Sequence, residues 1–105
     1  MLIDKPLNWT SFDAVNKIRY AVKRHLGLKK VKVGHAGTLD PLATGLLIIA
    51  IGKATKTIDN YLGQDKEYTG TITLGATTPS YDLETEIDQT FDLASITEKD
   101  IRKAA

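Results

Sequence analysis

The chain has 105 residues, enough for one domain of common size, and 42% hydrophobic with 26% charged residues is typical of a globular protein with a core. The absence of cysteine excludes a disulfide framework and thiolate metal sites, and it fits a cytoplasmic location. The longest apolar run, Leu46 to Ile51, is too short to span a bilayer, so no membrane association is expected.

The net charge of +1 is unevenly distributed, because residues 1–81 carry +5 and residues 82–105 carry −4. No acidic residue lies between Asp13 and Asp40, whereas seven basic residues do: Lys17, Arg19, Lys23, Arg24, Lys29, Lys30 and Lys32. A basic stretch of this kind is a candidate phosphate-contacting surface. From charge alone, a solvated helix face is the simpler interpretation.

The first predicted elements are a short strand and a helix. Residues Leu2 to Lys5 predict a strand that ends at Pro6, which has no N–H to donate to a sheet. Thr10 and Asp13 have the spacing of a capping box at a helix start, and Gly27 is placed to end the helix. The predicted helix carries one apolar stripe at three- and four-residue spacing, formed by Phe12, Val15, Ile18, Val22 and Leu26.

The later elements alternate between strands and helices. Leu46 to Ile51 predicts a buried strand, and Lys53 to Leu62 predicts a helix that ends near Gly63. Residues Glu67 to Leu74 alternate with a period of two, which predicts a strand, and Thr77 to Asp82 predicts a loop. Thr97 and Asp100 predict a second capped helix near residue 105. The pattern indicates an α+β fold with a mixed, mainly antiparallel sheet and flanking helices.

Asp40 stands between a glycine-rich turn and the buried strand, in "VGHAGTLDPLATGLL" at residues 33–47. Pro41 biases Asp40 toward extended geometry, and the glycines permit conformations that other residues resist. Such a loop can present a carboxylate as a nucleophile, a general acid or base, or a metal ligand. A simple turn-forming role remains the alternative. Metal binding is poorly supported, because His25 and His35 have no acidic residues clustered near them.

Three ordered motifs resemble one enzyme family over about residues 2–82. They read "LIDKPLNWTSFDAVNKIR", "GHAGTLDPLATGLL" and "IGKATKTIDNYLGQDKEYTGTITLGATTPSYD". The chain resembles the TruB-type pseudouridine synthases, which convert the T-loop uridine of tRNA (position 55) to pseudouridine. The resemblance implies the pseudouridine synthase catalytic fold, no cofactor and no metal, and tRNA, through its T-stem-loop, as the partner.

The resemblance also assigns roles to individual residues. Asp40 falls on the family's catalytic nucleophile, which attacks a flipped-out nucleotide either at uracil C6 or at the ribose anomeric carbon. Tyr68 falls on the tyrosine that stacks on the flipped base, and His35 on a histidine that contacts the T-loop. The basic residues, among them Lys29, Lys30 and Lys32, would contact tRNA phosphates. Lys5 and Pro6 match the opening motif and are expected to support the site structurally.

The sequence departs from the family pattern in two features, the loop after Leu74 and the length of the chain. The family loop has Thr-x-Thr-x-Asp-x-x-Gly, whereas Ser80 and Thr85 stand here at the second Thr and the Gly. Family members are longer, with an arginine that pairs with the catalytic aspartate, and often a C-terminal PUA-type domain. Residues 1–105 are therefore expected to be the N-terminal portion of a catalytic domain, inactive alone and able to self-associate through uncovered surface.

Two other functions remain compatible with the sequence. One is an RNA-binding module without catalysis, which needs the basic stretch but not the Asp40 carboxylate. The other is a small metal-free hydrolase that uses Asp40 and needs neither the basic stretch nor Tyr68.

Overall fold

A three-stranded antiparallel sheet with one long helix makes up most of the first half of the chain. The computed structural model describes all residues, 1–105, and divides them into two units, Met1–Lys66 and Glu67–Ala105. The first unit contains β1 (Leu2–Lys5), α1 (Ser11–Leu26), β2 (Val33–Ala36), β3 (Gly45–Ile51), a 3₁₀ helix (Gly52–Thr57) and α2 (Asp59–Leu62). The second contains β4 (Ala76–Thr77), β5 (Gln89–Thr90) and α3 (Glu98–Ala104). These elements confirm the α+β class.

Helix α1 begins and ends where the sequence predicts. The Thr10 hydroxyl accepts from the Asp13 N–H, and the Asp13 carboxylate accepts from the Thr10 N–H, which completes the capping box. Gly27 takes the left-handed conformation at φ 62° and ends the helix. The predicted apolar stripe is wrong at both ends, because Phe12 and Leu26 are 59% and 61% exposed.

The sheet has the strand order β1-β3-β2, with both pairs antiparallel. The predicted strands at Leu2–Lys5 and Leu46–Ile51 are confirmed, and the second forms the centre of the sheet. Strand β2 was not predicted, since its four residues, Val33 to Ala36, include a glycine and offer no clear alternation.

The core of the first unit lies between α1 and one face of the sheet. Leu47 and Ile49 of β3 are each 1% exposed and pack against Ala14, Val15 and Val33. Burial of these side chains supplies the main stabilisation of the unit, because each buried Val, Leu or Ile side chain is worth about 1.5–3 kcal/mol before entropy is counted. Ser11, Ala14 and Val15 form the buried helix face, where small side chains let the helix approach the sheet closely.

The segment after β3 is less regular than expected. The helix predicted over Lys53 to Leu62 is divided into a 3₁₀ helix, Gly52–Thr57, and the single turn of α2. Ile58 joins the two and packs against Gly34 of β2, where an added Cβ would stand 2.9 Å from the Ile58 Cδ1 atom. An alanine at residue 34 would require the end of the Ile58 side chain to shift.

The strand predicted over Glu67 to Leu74 is wrong. These residues form no ladder, and Tyr68 and Ile72 are 68% and 87% exposed. Alternation predicts a two-faced segment, but a strand also needs a hydrogen-bonding neighbour, and the second unit pairs only β4 with β5.

The remainder of the second unit agrees with the sequence in part. Its end forms α3 behind the predicted Thr97–Asp100 capping box. Thr77, expected in a loop, belongs to the two-residue strand β4, and the predicted loop continues from Thr78. No helix in the structure combines the length and apolar character that crossing a membrane requires.

Candidate active site

Asp40 lies in the loop that joins β2 to the central strand β3, and it is exposed to solvent. The loop turns immediately after it, because the Ala43 N–H donates to the Asp40 carbonyl over 3.0 Å. Pro41 occupies the second position of this turn, where its fixed φ is favourable. The carboxylate is therefore accessible, on a loop whose ends are both fixed in one sheet.

The residue before Asp40 is held by helix α1. The Ser11 hydroxyl accepts from the Leu39 N–H over 2.8 Å and donates to the Leu39 carbonyl over 3.1 Å. Ser11 is 2% exposed, so its hydroxyl has little access to water. Both backbone polar groups of Leu39 thus find their partner in one side chain from a distant part of the chain.

The residue after Asp40 is held by the segment between β1 and α1. The Pro41 carbonyl accepts from the Asn8 N–H over 2.8 Å and from the Lys5 Nζ over 3.4 Å. Asn8 adopts φ 63°, a left-handed conformation that asparagine tolerates better than most residues.

Lys5 connects this segment to the Asp40 loop. It is fully buried, and its Nζ also donates to the carbonyls of Pro6 over 3.1 Å and Trp9 over 2.5 Å. The ammonium is therefore solvated by three carbonyl oxygens. This arrangement agrees with a structural role for Lys5 and Pro6.

His35 lies in β2, at the start of the same connection. Its Nδ1 is 2.5 Å from the Gly37 carbonyl oxygen. Because a carbonyl only accepts, Nδ1 carries the proton in this contact and Nε2 is left for another partner. Gly37 has φ 97°, a conformation that favours glycine and bends the chain toward Asp40.

The basic stretch contributes exposed side chains from α1 and from the connection to β2. Lys29, Lys30 and Lys32 are exposed, and the single ion pair of the structure, between Arg102 and Glu98, does not involve them. Arg19 differs from the others, because its guanidinium donates to the Val33 carbonyl over 3.2 Å and lies over the Phe12 ring. Arg19 is thus engaged in tying α1 to β2, and the lysines are available.

Tyr68 belongs to the second unit, whereas Asp40 and His35 belong to the first. Its exposure of 68% shows that it is not a core residue of this structure. The stacking of its ring on a flipped base stays a prediction.

Comparison with known proteins identifies the family. Residues 23–105 match the model of the TruB family pseudouridylate synthase (N terminal domain). The chain belongs to the TruB family. Proteins named tRNA pseudouridine synthase B are similar to it. The one from Flavobacterium johnsoniae is 67% identical over 93% of this chain and 43% of that protein. The one from Phocaeicola vulgatus is 60% identical over 99% of this chain and 44% of that protein. A third, from Chlorobaculum tepidum, is 58% identical over 100% of this chain and 43% of that protein. The chain therefore spans less than half the length of these relatives.

The loop in which this TruB-family chain departs from the family pattern is internally hydrogen bonded. The Asp82 carboxylate accepts from the Ser80 hydroxyl over 2.6 Å and from the Glu84 N–H over 2.9 Å. These hydrogen bonds lower the pKa of Asp82 below its ordinary value, and the bond from Ser80 has the larger effect. The Thr85 hydroxyl accepts from the Ser80 N–H over 3.3 Å. Ser80 and Thr85, the two residues that differ from the family pattern, thus stabilise the same loop. Between them, Tyr81 adopts φ 61° and is 96% exposed.

Sequence reasoning found the TruB-family loop and missed most of the contacts that hold it. Neither the Ser11–Leu39 bonds nor the Lys5–Pro41 bond can be predicted from spacing, since each joins residues about 30 positions apart. One signal was present, because Ser11 is a polar residue three and four positions before the buried Ala14 and Val15. A serine on a buried helix face requires a hydrogen-bond partner.

Proposed function

We propose that this chain is the N-terminal part of the catalytic domain of a tRNA pseudouridine synthase, in which Asp40 acts on the T-loop uridine. The observation that carries the proposal is the TruB family match, which spans the Asp40 loop and extends to residue 105. The names of the similar proteins support tRNA as the substrate. The remaining part of the catalytic domain, and any PUA-type domain, would lie in the further length that these relatives have. The expected cytoplasmic location is part of this proposal.

The proposed reaction is an isomerisation by nucleophilic catalysis. The Asp40 carboxylate attacks the target nucleotide at uracil C6 or at the ribose anomeric carbon, and the glycosidic bond breaks. The base then turns, C5 bonds to the sugar, the proton on C5 leaves, and Asp40 is released. The exposed position of Asp40 between two fixed residues supports this role, since a nucleophile must reach its substrate in a defined geometry.

The target base must leave the RNA stack before Asp40 can reach it. Flipping costs a few kcal/mol, which contacts in the pocket offset. We propose that the Tyr68 ring stacks on the flipped base and that His35 contacts the T-loop nearby. The hydrogen bond from His35 Nδ1 to the Gly37 carbonyl fixes the imidazole and leaves Nε2 for a contact to RNA, which supports this role.

The exposed lysines between α1 and β2 are proposed to bind tRNA phosphates. Lys29, Lys30 and Lys32 have no acidic partner in the structure and stand in the part of the chain that carries the excess positive charge. Contacts to phosphates position an RNA without reading its sequence.

The deciding experiment measures pseudouridine formation on a T-stem-loop RNA by a protein of the relatives' length that contains this chain. Asp40→Asn should abolish turnover and leave RNA affinity nearly unchanged, because the two side chains have similar size. Asp65→Asn, at another exposed aspartate, is the matched control and should retain full turnover. Turnover by the Asp40→Asn variant at the wild-type rate would contradict the proposal.

A second candidate function is RNA binding without catalysis, which the unpaired lysines favour independently of Asp40. The same experiment separates the two functions. A protein that binds the stem-loop but forms no pseudouridine, with or without the Asp40 substitution, is a binding module.

A further inference from the structure

Ser11 makes an unusual pair of hydrogen bonds to the backbone of the Asp40 loop. Its Oγ is 2.8 Å from the Leu39 nitrogen and 3.1 Å from the Leu39 oxygen, so the hydroxyl accepts from one and donates to the other. The two residues are 28 positions apart in the chain. Ser11 is also the first residue of α1 and is 2% exposed, so the helix and its packing fix where the hydroxyl stands.

The Leu39 carbonyl belongs to the peptide group that joins Leu39 to Asp40. Holding this oxygen therefore fixes the peptide plane immediately before Asp40. On the other side, the Pro41 carbonyl is held by the Asn8 N–H over 2.8 Å. The Asp40 backbone thus lies between two anchored peptide groups, and its carboxylate has little freedom beyond its own side-chain rotations.

We infer that Ser11 is a positioning residue for Asp40, acting through Leu39. The inference rests on the proposed function, because it assigns Ser11 a part in orienting the nucleophile Asp40. Serine suits the position, since only a hydroxyl can accept from the N–H and donate to the carbonyl of the same residue in so small a volume. Alanine would leave both Leu39 groups without a partner, and the loop would shift to find other donors and acceptors.

The test uses a protein of the relatives' length that contains this chain. Ser11→Ala should lower kcat for pseudouridine formation by about 10- to 100-fold, the loss that a small misplacement of a reacting group causes. KM should change by less than about twofold, because Ser11 is 2% exposed and offers almost no surface to the RNA. Ser11→Thr keeps the hydroxyl and should recover most of the lost kcat.

A matched control removes a hydroxyl of the same type elsewhere. Thr55 Oγ1 donates to the Gly52 carbonyl over 2.8 Å, at the other end of β3 from the Asp40 loop. Thr55→Val should leave kcat within about twofold of wild type. If Ser11→Ala does not fold, Ser11→Cys replaces it, since a thiol keeps the volume and hydrogen-bonds only weakly.

A second readout follows the loop directly, without reference to catalysis. In Ser11→Ala the Leu39 amide should exchange with solvent at least about tenfold faster, whereas the Leu47 amide in β3 should be unchanged. Unchanged Leu39 exchange, or faster exchange with wild-type kcat, would overturn the inference. A wild-type protein that forms no pseudouridine would instead contradict the proposed function, and the inference would fail with it.

Discussion

At the scale of single residues, Lys5 illustrates how the fold accommodates a buried charge next to the Asp40 loop. Its ammonium is fully buried and has no carboxylate partner, but it donates to the carbonyls of Pro6, Trp9 and Pro41. A buried charge is costly unless it is well hydrogen bonded, so these three oxygens explain how lysine is tolerated there. The residue stabilises the segment that carries Asn8, which in turn holds Pro41.

Substitutions of Tyr68 test the proposed stacking of its ring on the flipped base. Tyr68→Phe keeps the ring, so base stacking and RNA affinity should survive while any proton-transfer role is lost. Tyr68→Leu should lose both and reduce kcat/KM more strongly, by a further 10-fold or so, because a stacked base is worth about 1–3 kcal/mol. Steady-state kinetics on a T-stem-loop measure both variants in a protein of the relatives' length.

The control for Tyr68 is Tyr81, the most exposed tyrosine of the second unit. Tyr81→Leu removes a ring of the same kind from a loop to which the resemblance assigns no stacking. Equal losses for Tyr68→Leu and Tyr81→Leu would show that position 68 has no special part in binding the base.

At the scale of elements, α1 combines a structural face with an exposed basic face. Ser11, Ala14 and Val15 pack on the sheet, and the exposed side carries cations such as Lys17 and Arg24. The capping box at Thr10 fixes where the helix starts, and this sets the position of Ser11 one residue later. The start signal in the sequence therefore determines part of the geometry at Asp40.

The capping box predicts a pH-dependent contribution to stability. Thr10 lowers the pKa of Asp13 below its ordinary value of 3.8, first through its hydroxyl and then through its backbone N–H. A lowered carboxyl pKa stabilises the fold above the unfolded pKa, and this contribution is lost as the pH falls through the folded pKa. Loss of the N-cap hydroxyl in Thr10→Ala should destabilise the chain by about 1 kcal/mol at neutral pH. The loss should be smaller at a pH below the folded-state pKa of Asp13, where the carboxyl is protonated.

Urea unfolding at several pH values measures this difference. Thr71→Ala, at an exposed threonine outside any helix or strand, should change stability by less than about 0.5 kcal/mol. A Thr10→Ala effect that is constant from neutral to acidic pH would show that Asp13 is not coupled to the cap.

The basic stretch gives a second prediction at this scale. Replacing Lys29 and Lys30 together by Glu should weaken tRNA binding at low salt, and the loss should shrink as salt concentration rises. Replacing Lys99 and Lys103 of α3 by Glu makes the same charge change in another element and should have a smaller effect. Filter binding across a salt series measures both, and wild-type affinity of the Lys29/Lys30 variant at low salt would remove the proposed role.

Elements with local signals could be predicted from the sequence, and those that depend on a partner could not. The capping boxes at Thr10 and Thr97 predict the starts of α1 and α3, because a cap is formed within four residues. The sequence predicts neither strand β2 nor the lack of pairing at residues 67–74, since a ladder depends on a neighbour far along the chain. The same reason explains the site: the Asp40 loop was visible in its glycines and proline, but Ser11 holds it from 28 residues away.

At the scale of the whole molecule, burial is concentrated in one unit. All buried residues lie within Met1–Lys66, and no residue of Glu67–Ala105 is buried. Amide exchange should reflect this division, slow at Leu47 and Ile49 and fast throughout residues 67–74. The proposed nucleophile, Asp40, belongs to the first unit, and Tyr68, which is proposed to stack on the base, belongs to the second.

The 105-residue chain alone should therefore fold its first unit and form little or no pseudouridine. We expect its turnover on a T-stem-loop to fall at least about 100-fold below that of a protein of the relatives' length, because Tyr68 stands on a segment without strand partners. Slow amide exchange at Leu47 and Ile49 is the control that the chain is folded, and sedimentation measures whether its exposed apolar side chains cause self-association. Turnover by the folded chain near the rate of the longer protein would show that residues 1–105 contain a complete active site.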